Sequence, residues 1–94
     1  MMDMREVREN LEEWLENPSW TGYYEEAPSD KCREFIALEF YYSEYEDGET
    51  AEAMDRIEKE LGIGDLRHLV KYCGENPRKG ILAKRIAEME AGRG

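Results

Sequence analysis

The chain has 94 residues, with 23 acidic and 13 basic side chains and a net charge of −10. A chain this short makes one domain and buries roughly 60–65% of its unfolded surface, so one modest core is available. Apolar residues at 40% and aromatics at 11% argue against disorder. No apolar run approaches the roughly 20 residues of a membrane helix, and the sign of the charge excludes an overall basic nucleic-acid binder. The opening Met-Met-Asp-Met-Arg-Glu-Val has no apolar stretch of the signal-peptide kind, so the expected location is cytoplasmic.

The first segment, Asp3 to Glu16, places Met4, Val7, Leu11, Trp14 and Leu15 at helical spacing within an arc of about 100°. Asp3 reads as its N-cap and Glu6 as the partner of a capping box. Asn17-Pro18 is expected to end the helix. The next stretch, Ser19 to Pro28, reads as a loop carrying Trp20, Tyr23 and Tyr24, with Gly22 for a turn.

Ser29 or Asp30 caps a second helix that runs from Lys31 to about Tyr45. Cys32, Phe35, Ile36, Leu38, Phe40, Tyr42 and Tyr45 cover more than half of its circumference, the pattern of a central helix. Asp47-Gly48 breaks it. Thr50 is the expected cap of a third helix, with Met54, Ile57 and Leu61 on one stripe and Gly62 at its end. Ile63-Gly64 reads as a joint, and Asp65 as the cap of a fourth helix with Leu66, Leu69, Val70 and Cys73 inward. After Gly74, Asn76-Pro77 starts a last helix that carries Ile81, Leu82, Ile86 and Met89. The expected architecture is all-α: a compact single domain, residues 1–94, of about five short helices.

Charge is unevenly spread. Residues 1–62 hold 19 acids and 6 bases; residues 63–94 hold 4 acids and 7 bases. An acidic body therefore carries a mildly basic C-terminal end. Many acids crowd the C-terminal turns of helices, where the carbonyls already present negative charge at about 0.3–1 kcal/mol per exposed acid. Glu9–Glu13 and Glu12–Glu16 are like-charge pairs at i,i+4. Selection for stability alone would place lysine there, so the negative field is a candidate functional feature beside its ordinary role in solubility.

The inventory for chemistry is thin. His68 is the single histidine, and Cys73 lies about 140° around the helix from it, so the two share no face. Cys32 and Cys73 allow one bridge, but in an unexported chain both read as buried thiols. No phosphate loop, nucleophile elbow or dinucleotide fingerprint occurs. The stretch from Ser43 to Met54 has a glycine at the sixth position of a calcium loop, but Tyr45 and Met54 stand where positions 3 and 12 need ligands. The expectation is a protein with no catalysis, no metal and no cofactor.

The acidic helix ends Glu12-Glu13-Trp14-Leu15-Glu16 and Glu44-Tyr45-Glu46-Asp47-Gly48-Glu49 resemble those of small acidic helical proteins of phages and mobile elements, including anti-CRISPR inhibitors. The resemblance implies a nucleic-acid mimic, an inhibitor that occupies a basic groove of a nucleic-acid-handling enzyme. The net-positive C-terminal third departs from a uniform mimic. The expected partner is a protein with a basic surface, met by Glu9, Glu12, Glu13, Glu16, Glu44, Glu46, Asp47 and Glu49. Two alternatives stand beside it. One is a helix-turn-helix-like regulator using Arg78, Lys79, Lys84 and Arg85. The other is an assembly subunit that grips its partner through Trp20, Tyr23 and Tyr24.

Overall fold

The computed structural model describes residues 3–73 and 78–92, and the side chains of Cys73, Arg78 and Lys79 fall outside that description. Among the described residues 87% are helical and none is in a strand. Six helices follow in order: α1 (Met4–Leu15), α2 (Pro18–Glu25), α3 (Asp30–Tyr45), α4 (Gly48–Glu60), α5 (Ile63–Cys73) and α6 (Arg78–Gly92).

The sixth helix is α2, in the stretch expected to be a loop. Asn17 ends α1 and also starts α2: its side chain accepts from the Ser19 amide at 3.0 Å, and Pro18 takes the first helical position, where its missing N–H costs nothing. Asn17-Pro18 thus marks the end of α1, as expected, and also the start of α2. Residues 74–77 lie outside the description.

Two further starts move. Asp47, not Thr50, is the N-cap of α4, and Thr50 is fully buried, its hydroxyl donating back to Asp47 at 3.2 Å. α5 begins at Ile63 rather than after Asp65. The Asp65 carboxylate reaches back to the Gly62 amide at 3.0 Å, the reciprocal half of a capping box. Ser29 caps α3 as one of the two options offered, accepting from the Cys32 amide at 3.1 Å. The Ser29 hydroxyl also donates to Asp65 at 2.9 Å, so one serine joins the starts of α3 and α5.

α3 is the hub. Its buried residues Cys32, Phe35, Ile36, Ala37, Leu38, Phe40 and Tyr41 surround the helix axis, and α1, α2 and α4 pack on it. Near its end the inward residue is Tyr41, while Tyr42 and Tyr45 are exposed. α5 packs on α6 and α2. In α6 Leu82 is fully buried, but Ile81 is 62% exposed and contributes nothing to the core.

The aromatics of α2 complete the core. Phe40 stacks on Trp14 with centroids 4.6 Å apart and planes 7° apart, and takes Trp20 edge-on at 5.5 Å. Such pairs add about 0.5–1.5 kcal/mol beyond area burial. Truncating Phe40 to alanine removes the centre of this cluster, a change of the kind that costs about 3–5 kcal/mol. α2 is tied to α5 by His68, whose Nε2 lies 2.7 Å from the Tyr23 carbonyl oxygen, and by the Tyr72 hydroxyl, which donates to Glu26 at 3.1 Å. Gly22 makes room for that second bond: a Cβ there would meet the Glu26 carboxylate at 3.3 Å. No helix among the described residues is long and apolar enough to cross a membrane.

Candidate acidic interface

The sequence places the acids of α1 on two sides of its apolar stripe. With Val7 at the centre, Glu6, Glu9 and Glu13 lie one way around the helix, and Arg8 and Glu12 the other, at about 100° per residue. The fold turns that split into two surfaces. Glu6, Glu9 and Glu13 face the end of α3 and the start of α4 across a cleft of about 630 Å³, where Asp47 joins them. Arg8 and Glu12 line a separate groove with Asp30 and Arg33.

Of the eight acids expected at the interface, Glu9, Glu13 and Asp47 therefore come together in one cleft. Glu13 also borders a shallow depression with Glu44, Trp14 and Trp20, which extends the same side of the molecule. Glu12 is on the far side of α1. Glu46 faces a different groove, of about 550 Å³, with Asp55, Glu58 and the exposed Tyr42 and Ile81. Glu16 and Glu49 are exposed and line none of these clefts.

The turn that delivers Asp47 is strained. Glu46 is left-handed, with φ 49° and ψ 35°, and its amide donates to the Tyr42 carbonyl at 2.7 Å to close α3. This conformation costs a residue with a Cβ about 1–2 kcal/mol. The stretch from Ser43 to Met54 is thus the end of one helix and the start of the next, not a calcium loop.

Around the cleft the Tyr41 hydroxyl donates to Glu6 at 3.0 Å. Burial, and then this bond, hold the Tyr41 phenol above its ordinary pKa, with Glu6, Asp47 and Tyr45 adding negative or polar surroundings. Tyr45, 61% exposed, lies against Tyr41 with ring centroids 4.6 Å apart. Asn10 stands in the cleft wall, 5% exposed, and its Nδ2 has no hydrogen-bond partner. The ion pairs formed among the described residues, Lys31–Glu60, Arg33–Asp30 and Arg67–Glu90, leave Glu9, Glu13 and Asp47 uncompensated.

Sequence reasoning missed Glu6, Asn10 and Tyr41. Asn10 was legible: it sits about 60° from Val7, inside the apolar stripe, where a polar residue is out of place. Tyr41, Tyr42 and Tyr45 crowd the end of α3, and only packing decides that Tyr41 goes inward.

The other candidates are placed as follows. Tyr23 is 2% exposed, bonds Glu39 through its hydroxyl at 3.1 Å and is removed from any contact surface. Trp20 and Tyr24 are half-buried against the core. In α6 Lys84 is exposed and Arg85 half-buried; Arg78 and Lys79 lie outside the described side chains. Cys32 is fully buried and free, its thiol pushed up to about 12, first by burial and then by Asp65. Cys73 lies outside the described side chains. His68 stacks on Tyr23 at 5.6 Å and bonds its carbonyl, a packing role. Among the described residues no three acidic, histidine or cysteine side chains converge to hold a metal ion.

A scan against protein-family models finds no match, and searches of curated proteins and of solved structures return no significant similarity.

Proposed function

We propose that this protein is a non-enzymatic acidic binding module that docks on a basic surface of a nucleic-acid-handling protein and inhibits it by occupying the groove meant for phosphates. The observation that carries the reading is the cleft side of α1, where Glu9 and Glu13 line one cleft with Asp47, which is distant from them in the chain, and none of the ion pairs among the described residues engages them. Uncompensated carboxylates in one concave surface focus a negative field, which speeds association with a positive partner and makes it salt-dependent. Selection for stability alone would have paired them. The state of Cys32 supports the non-enzymatic part, since a buried thiol is a poor attacking group, and His68 is engaged in packing.

A second reading draws on the exposed Ile81 and Tyr42, which flank the groove between α3, α4 and α6 and offer an apolar lip to an assembly partner. Charge reversal separates the two. The partner is captured on the immobilised chain from host cells, and its affinity is measured across 50–300 mM salt for wild type, Glu9→Lys/Glu13→Lys and Ile81→Ser. The acidic reading expects steep weakening with salt and loss of at least tenfold in the charge-reversed variant. Intact binding there, with loss in Ile81→Ser, replaces it with the assembly reading.

A further inference from the structure

The groove between α1 and the first half of α3, of about 450 Å³, differs in charge from its neighbours. Two arginines stand among three acids on its walls, whereas the acidic cleft and the groove beside α4 are each lined by four acids and no base. Its apolar lining includes the buried Val7 and Leu11, and Met4 adds an apolar side chain that is 50% exposed. Arg33 is held by Asp30 at 2.8 Å. Arg8 and Glu12 are exposed, and none of the ion pairs among the described residues engages them.

The order of residues along α1 makes this face complementary to itself. At about 100° per residue, Met4, Arg8, Glu12 and Leu15 fall within an arc of about 80°. Leu15 is half-buried. The midpoint between Arg8 and Glu12 is position 10, and that between Met4 and Leu15 is position 9.5, so the two agree to about 0.75 Å of axial rise. A second α1 laid antiparallel about that point brings Arg8 of each copy to Glu12 of the other, and Met4 of each to Leu15 of the other. A common centre for the charged and the apolar pairs is what a two-fold axis demands, since every contact across it is made twice. A foreign partner imposes no such symmetry.

We propose that the groove side of α1 is a dimer interface for a second copy of this chain, with the two α1 helices antiparallel, reciprocal Arg8–Glu12 ion pairs at the axis and Met4 seated on Leu15 at either end. Glu9 and Glu13 lie the other way around α1, so the dimer presents two acidic clefts. The inference does not rest on the acidic docking reading. A face one 12-residue helix long is at the low end of interface size, and each copy carries a charge of −10. The dimer is therefore weak, with a dissociation constant of about 10–500 μM.

The test is sedimentation equilibrium of the full chain under reducing conditions, from about 10 μM to about 1 mM protein at about 150 mM salt. The average mass is expected to rise with concentration from 11.1 kDa towards twice that value. Arg8→Glu and Glu12→Arg each set two like-charge pairs at the axis, and each is expected to weaken the dimer about tenfold. Combined in one chain they restore opposite charges and are expected to return the dimer to within about threefold of wild type. Glu12→Arg moves the net charge by two units, from −10 to −8, so general repulsion alone would strengthen association, the opposite sign. Both positions are exposed, so the variants keep the fold, which circular dichroism checks. A chain that is monomeric throughout overturns the proposal. So does a dimer that Glu12→Arg strengthens or that the double exchange fails to rescue. Loss of the captured host partner on Met4→Ser, with the chain itself monomeric, assigns the groove to a different protein and likewise overturns it.

Discussion

The Tyr41 hydroxyl donates to the Glu6 carboxylate at 3.0 Å, a bond between α3 and α1 that spans 35 positions of sequence and closes one end of the acidic cleft. Because it needs the phenol protonated, it makes stability depend on alkaline pH. Below pH 10 both folded and unfolded states hold the proton and the contribution is complete. Above pH 10 the unfolded phenol ionises first while the folded one resists, so stability falls as pH rises towards the raised folded value. Tyr72, held up by its bond to Glu26, behaves with the same sign. Tyr41→Phe is expected to be less stable than wild type at pH 7 and to lose less on going to pH 11. Urea unfolding at both pH values checks this; equal losses in the two proteins would show that the bond is not maintained in solution.

Glu46 holds a left-handed conformation that glycine adopts freely. Glu46→Gly is expected to stabilise the domain by about 0.5–1 kcal/mol, the relieved strain less the extra freedom glycine gives the unfolded chain. In a domain of this size that is a rise of about 2–8 °C in Tm. A fall in Tm would mean that the turn before Asp47 is not strained.

Cys32 has no access to solvent, and its thiol is pushed up to about 12. In a Cys73→Ser background, an aromatic disulfide reagent at pH 8 is expected to leave the native protein unmodified and to react fully once urea unfolds it. Rapid labelling of the native state would contradict the burial of Cys32 at the start of α3.

How far the sequence carried can be seen in these same residues. Helix periodicity placed α1, α3, α4, α5 and α6, because apolar stripes at 3.6-residue spacing are local properties of the chain. It identified α3 as central from apolar residues all around its axis. It failed at α2, whose eight residues carry too weak a stripe to announce a helix and whose Asn-Pro start is chemically the same as a stop. It failed in choosing Tyr42 and Tyr45 over Tyr41, since that choice depends on where α1 lies. The acidic character was readable by counting. The division of those acids between two sides of α1 was latent in the helical wheel, but the meeting of Glu9 and Glu13 with Asp47 needed the packing of α1 on α3. Asn10 stood in the apolar stripe in plain view, and the packing of α1 buries it there.

The most direct test of the account is competition. The partner captured by this chain is loaded with a fluorescent nucleic acid, and the chain is titrated in while anisotropy is followed at 100 mM salt. The account predicts stoichiometric displacement of the nucleic acid, lost when Glu9, Glu13 and Asp47 are replaced by lysine, with no binding of the nucleic acid by the chain alone. Simultaneous binding of chain and nucleic acid to the partner, or displacement undiminished by those three replacements, would contradict it.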